Sequence, residues 1–392
     1  MDLNRDFMKM ESPEARGLIG NIFNRWDPQV VIDLHTTDGS YHGYALTYSP
    51  PLNPNTDGRI ISLLRDKLLP DVTKTMAEEY RYKTYYYGNF VDPKNAEREQ
   101  ASADTSRPLA WATFDHRPRF GNNYAGLRNR IAILSEAYSY LDFRARVDVT
   151  GKFVLSILQY IGRHPLDITS AVRDSDRLTS ETGRTHGNEE GFGITFERKP
   201  SERPREILVG SVTTSIDPRT NKPRLQATGE ARPVSMIEYG EFRAVKRIER
   251  PAAYILKPGL NPIADMLMAH GVSVEVSKEE TTLAVERYQV NAITHAARQF
   301  QGHKETKLDV TLGSASEVFP AGSFLVTMRQ PKSALIFYLL EPESDDGLAA
   351  WNFLDSELER GANSTAPNVY PVYRLKQDPA MPREMLCPGN CK

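Results

Sequence analysis

Cysteine is nearly absent. The 392-residue chain holds 2, Cys387 and Cys391, both within its last six positions. Thiols so placed cannot staple a core, which excludes a disulfide scaffold, though they could close a small terminal loop. No apolar run approaches the ~18 residues of a membrane span. No basic stretch followed by an apolar one opens the chain, so no signal peptide is legible and the compartment stays open. A dominant charge sign is lacking too. Lys plus Arg number 49 and Asp plus Glu 51, so a formal net charge of −2 gives no electrostatic case for nucleic acid or an anionic membrane.

What is present is the make-up of a globular protein. Apolar residues are 40% and charged residues 26%, which excludes a disordered chain and a fibrous repeat. At roughly 150 residues per domain, the length suggests two or three units. No repeat of fixed period is visible.

The first part alternates helix and strand patterns. Ser12-Pro13 reads as a helix start, with Leu18, Ile19, Ile22 and Phe23 at helical spacing as far as Arg25. Val30 to Leu34 is a short β-branched run, the pattern of a buried strand. Arg59 to Glu79 predicts a second helix, and Tyr82 to Phe90 is aromatic and strand-like. Ile131 to Leu134 is another apolar run, and Asp148 to Ile161 a closing helix. This order predicts an α/β layer with a mixed, largely parallel sheet flanked by helices. The expected organisation is an α/β domain over 1–163, a polar linker or exposed insertion over 164–204, a smaller mostly-β domain over 205–380, and a tail over 381–392. In the β-rich part, Ile207 to Val209, Ala252 to Leu256, Val272 to Val276, Thr281 to Val290, Leu308 to Leu312 and Phe324 to Met328 read as strands, with Pro262 to His270 a helix. The acidic turn from Glu341 to Asp346 reads as a solvated loop.

Three segments could carry chemistry. In VVIDLHTTDG a buried strand runs to its carboxyl end and presents His35, where open α/β sheets bind ligands. A histidine there suits metal binding or base work, the alternative being a polar residue that merely ends the strand. In IAILSEAYSY four apolar residues lead to Glu136, whose desolvation would raise its pKa and suit it to general-base work. The alternative is an ion pair with Arg128, Arg130 or Arg144. In DLNRDF, Asn4 and Arg5 set an amide beside a planar guanidinium, a pair that suits a carboxylate.

Taken together, DLNRDF, then a strand ending in DLH, then a strand ending in LSEAYSY resembles the zinc metallocarboxypeptidases of the carboxypeptidase A type, over about residues 1 to 162. The resemblance implies that Asn4 and Arg5 grip the terminal carboxylate of a peptide, that His35 is a zinc ligand, and that Glu136 is the general base. The stretch RPRFGNNYAGLRNR is similar to the segment that closes over the substrate, which makes Tyr124 the tyrosine expected to cap the peptide. The implied activity is hydrolysis of a C-terminal amide bond, with zinc polarising the carbonyl and acidifying its bound water.

The chain departs from the family pattern in one respect. The family's first two zinc ligands form an H-x-x-E motif upstream of D-x-N-R, and its oxyanion-stabilising arginine is upstream as well. Neither precedes Asp2 here, so the expectation is an N-terminally truncated metallocarboxypeptidase with His35 as a lone zinc ligand. His186-Gly187-Asn188-Glu189 matches H-x-x-E but sits in the polar stretch with no strand before it. His42 and His116 are the other local histidines, and His270, His295 and His303 read as satisfied or exposed. The alternative function is a catalytically inactive pseudo-peptidase that binds peptides as a module.

Overall fold

The computed structural model describes residues 1–37, 39–93, 109–216, 221, 223–362 and 367–386. Cys387 and Cys391 lie outside the described residues. The first helix, α1 (Pro13–Leu18), starts where Ser12 Oγ accepts from the Ala15 amide at 3.1 Å and Pro13 takes the first helical position. It continues as a π-helical turn over Ile19–Phe23.

The β-branched run forms β1 (Val30–Thr36), followed by β2 (Leu46–Ser49). The next helical stretch is built from α2 (Gly58–Ser62), a π-helical turn (Leu63–Leu68) and α3 (Leu69–Glu78). After these come β3 (Thr84–Tyr86), β4 (Asn89–Val91), β5 (Ala110–Ala112), α4 (Gly121–Leu127), β6 (Ile131–Ala137) and α5 (Phe143–Arg163). The sheet order is β1-β6-β2-β3. The outer pairs, β1 with β6 and β2 with β3, are parallel, and β6 with β2 is antiparallel. The sheet is therefore mixed, with parallel pairing prevailing. Ile60, Leu64, Leu68, Val72 and Met76 of the helical stretch and Val149, Phe153 and Ile157 of α5 pack on Leu46, Ile131 and Ile133. Because β6 is an interior strand, its apolar run is almost wholly buried.

Residues 164–204 hold α6 (Pro165–Thr182), whose buried stripe is Ile168, Val172, Ser175 and Thr179, and β7 (Phe192–Lys199). Half of that stripe is small and polar, which is why the segment reads as a linker. Thr179 satisfies its hydroxyl on the Ser175 carbonyl, so it can be buried.

Beyond it, β8 (Arg205–Ile216) and β9 (Pro223–Met236) form a two-stranded ribbon. β10 (Glu238–Tyr239) pairs with β5, and β11 (Glu241–Ile248) pairs antiparallel with β7. Then follow β12 (Ala253–Leu256), α7 (Asn261–Ala269), β13 (Glu275–Ser277), β14 (Thr281–His295), β15 (Thr306–Phe319), β16 (Phe324–Thr327), α8 (Ser333–Leu340), α9 (Asp355–Ala362), β17 (Val372–Leu375) and β18 (Arg383–Met385). An antiparallel seven-stranded sheet runs β15-β14-β17-β12-β16-β13-β18. The largest apolar core draws on both ends of the chain: Met8, Phe23 and Tyr124 join Leu256, Leu267, Val326 and the wholly buried α8. No helix among the described residues is long and apolar enough to cross a membrane.

One expectation is overturned. The turn from Glu341 to Asp346 is not a solvated loop, because Glu341 and Asp346 are both fully buried. Glu341 accepts from the Tyr254 hydroxyl at 2.6 Å, the Tyr288 hydroxyl at 2.7 Å and Arg374 Nη1 at 3.1 Å. Asp346 accepts from Arg119 Nε and from Trp351 Nε1, each at 2.8 Å. Buried carboxylates persist when hydrogen-bonded and paired. Every one of these partners is distant or unmarked in sequence.

Candidate functional site

Asn4, Arg5, His35 and Glu136 line one cleft of about 420 Å³. The fold brings them there by separate routes. The parallel register of β1 with β6 sets His35 beside Glu136 at the carboxyl ends of neighbouring strands. Asn4 and Arg5 belong to a short 3-10 turn, Leu3–Arg5, capped by Asp2, whose Oδ1 accepts from the Asn4 amide at 2.9 Å. The Asn4 side chain then accepts from the Gly121 amide at 3.2 Å, which ties the turn to the start of α4. A side chain at Gly121 would put its Cβ 2.7 Å from the Phe7 ring, so any other residue there requires that ring to shift.

Arg5 is held at its cleft position from several sides. Its Nη1 donates to the Asn4 carbonyl at 2.8 Å and lies 3.7 Å from Asp2 Oδ2. Its guanidinium stands 4.1 Å from the Phe120 ring centre, a cation–π geometry. The planar fork is thus pre-positioned for an incoming anion at reduced entropic cost.

His35 Nε2 lies 2.8 Å from Asp33 Oδ1, since residues two apart on a strand share a face. Asp33 holds the imidazole above its ordinary pKa range; half-burial opposes this, and Glu136 and Asp2 add to the rise. The cleft also takes in Tyr87, Phe114, Asn122 and Arg198. Asn122 is buried and donates from Nδ2 to the Ser49 and Pro50 carbonyls at 3.3 and 3.1 Å. Asp33 could have been found in the sequence from its D-x-H spacing on a strand. Arg198 could not, because it arrives from β7, over 60 residues after Glu136.

The structure brings the other singled-out residues elsewhere. Tyr124 is fully buried and does not line the cleft. Its hydroxyl is engaged by His270 Nδ1 at 2.9 Å and Arg128 Nη1 at 3.0 Å, and its ring packs on Phe7 and Phe23. His186 and Glu189 sit beside the start of α2, where the His186 amide donates to Asp57 at 2.8 Å. His42 is buried against Tyr138 and Trp111, and desolvation lowers its pKa to about 4. His116 is buried between Phe196 and Phe242, at the wall of a second cavity of about 350 Å³.

The donor set was expected to serve zinc. A catalytic zinc takes three protein ligands. Among the described residues no group of three or more His, Cys, Asp or Glu side chains converges as a metal-binding set. The cleft offers His35, already turned onto Asp33, and the described donors do not make up such a site.

No protein-family model matches the chain, and no solved structure matches it. Curated relatives do. The chain is 26% identical over 392 residues to carboxypeptidase 2 of Trichophyton equinum, covering 96% of this chain and 64% of the relative. It is equally 26% identical over 392 residues, with the same 96% and 64% coverage, to carboxypeptidase 2 of Trichophyton tonsurans. The chain thus spans somewhat less than two thirds of the length of the relatives it matches.

Proposed function

We propose that the cleft is a carboxypeptidase-type site that receives the C-terminus of a peptide. Asn4 and Arg5 hold the free carboxylate, and Glu136 and His35 face the last amide bond. The observation that carries this reading is the convergence of these four residues on one cleft. Similarity to proteins named carboxypeptidase 2 supports the same direction. A guanidinium fixed by an aromatic face and a neighbouring carbonyl suits bidentate capture of a carboxylate. Such capture selects the chain end over internal bonds. Glu136, leaving the buried strand β6, is the general base of this reading and would take a proton from the attacking water. Zinc, expected from the resemblance, needs donors beyond those the described residues bring together.

That donor shortage supports a second reading, a module that holds peptide ends without cleaving them. One experiment separates the two. The chain is incubated with a peptide, with and without added zinc, and mass spectrometry follows shortening by single residues. Shortening that Glu136→Gln abolishes supports the hydrolase. Binding without shortening supports the module. Absence of both overturns the cleft assignment.

A further inference from the structure

Three arginines gather where three distant segments meet. The helix α6 ends at Gly183, which takes a left-handed φ of 71°. A Cβ there would come 2.8 Å from the Met328 carbonyl oxygen and 3.1 Å from Arg250 Nη1. The end of α6, the link from β11 to β12 and the link from β16 to α8 therefore touch at this point. Arg184 follows Gly183, and Arg329 follows Met328. Arg184 and Arg329 are exposed, and Arg250 is half-buried. Among the described residues none of the three forms an ion pair, and none lines the cleft.

Arg250 is fixed in place but not satisfied. Its Nη1 donates to the Pro251 carbonyl at 2.9 Å, while its Nε is sealed from water with no hydrogen-bond partner. Burial, then Arg184 and Arg329, hold its pKa below the ordinary arginine value; Glu249 and Tyr254 oppose them and do not prevail. Gathering like charges costs free energy, and little here offsets it. The carboxyl end of α6 supplies about half a negative charge. Glu249 adds one carboxylate, which leaves the three arginines in excess.

We propose that this cluster binds a phosphate group, free or as a small monoester, held on Arg250 and flanked by Arg184 and Arg329. Guanidinium forks match phosphate oxygens bidentately. A phosphate monoester carries about −1.5 to −2 charges at neutral pH, which matches the excess. Bound there, it ties the end of α6 to both links and stabilises the fold by mass action. The site does not depend on the peptide-end reading of the cleft.

The test is calorimetric titration of the whole chain with inorganic phosphate and with glycerol phosphate, against chloride at matched ionic strength, beside melting temperatures. Saturable binding with a rise in melting temperature is expected. Arg184→Gln and Arg329→Gln, both at exposed positions, should each weaken binding about tenfold. Neither should lower the melting temperature of the phosphate-free chain. Arg173→Gln, at another exposed arginine of α6, should bind as the unsubstituted chain does. Tighter binding of inorganic phosphate identifies the free ion as the ligand, and tighter binding of glycerol phosphate an ester; either supports the site. No response to either ligand beyond that to chloride overturns the proposal. So does binding that the combined Arg184→Gln and Arg329→Gln variant leaves intact.

Discussion

The ammonium of Lys9 donates to the main-chain carbonyl of Arg5 at 3.3 Å. Lys9 is fully buried, 2.7 Å from Asp6 Oδ1 and 4.9 Å from the Trp351 ring centre. Asp6 also accepts from the Ser12 amide at 2.8 Å and the Glu11 amide at 3.2 Å. The turn that bears the proposed carboxylate clamp is therefore held by a local buried ion pair, and Lys9 also reaches the ring of Trp351, from a distant part of the chain. Neither Lys9 nor Asp6 lines the cleft.

Lys9→Met should leave Asp6 buried without its counter-ion. Removing one member of a buried pair costs about 3–5 kcal/mol. Urea denaturation of the variant should show a loss of that size, with weaker binding of a C-terminal carboxylate. A loss below about 1 kcal/mol would contradict a paired, desolvated Asp6, because that is the range of exposed pairs.

Acid should release the same ion pair. Burial by itself would raise the Asp6 carboxyl, but Lys9 and the Ser12 and Glu11 hydrogen bonds outweigh it and hold the group below the usual range. A depressed folded value means the stabilisation is present above the unfolded carboxyl value of about 3.9 and is lost as pH falls through the lower folded one. Melting temperatures of the unsubstituted chain and Asp6→Asn should differ steadily near neutrality and converge below about pH 4. A gap that widens on acidification would reverse the sign.

Tyr124 separates packing from ligand contact. Its hydroxyl serves His270 and Arg128 in the core. Tyr124→Phe should cost about 1–3 kcal/mol of stability, the price of stranding buried partners. Peptide affinity should stay unchanged. A fall in affinity without a fall in stability would return Tyr124 to the cleft.

Much of the N-terminal α/β part was legible because its signals are local. The runs before His35 and Glu136 are β-branched or apolar, and both form the expected strands. The helix stretches over Ser12 to Arg25 and Arg59 to Glu79 carry caps and periodic leucines and isoleucines that need no partner to be read. What escaped was non-local. The α6 stripe uses Ser175 and Thr179; Thr179 looks like a surface residue until its hydroxyl donates to the Ser175 carbonyl and accepts from Asn129. The turn from Glu341 to Asp346 looks solvated until Arg119, Arg374 and two tyrosines arrive from elsewhere in the chain. Arg198 carries no motif at all; β7 carries it to the cleft, where it donates to the carbonyl of Thr113 in the wall.

The central claim, that Asn4 and Arg5 clamp a peptide's terminal carboxylate, is tested most directly by comparing one peptide as free acid and as C-terminal amide. Calorimetry should find the free acid about tenfold or more tighter, as expected for a charge-assisted hydrogen bond. Arg5→Ala should erase the difference. Equal affinity for acid and amide, or a difference that survives Arg5→Ala, would contradict the claim.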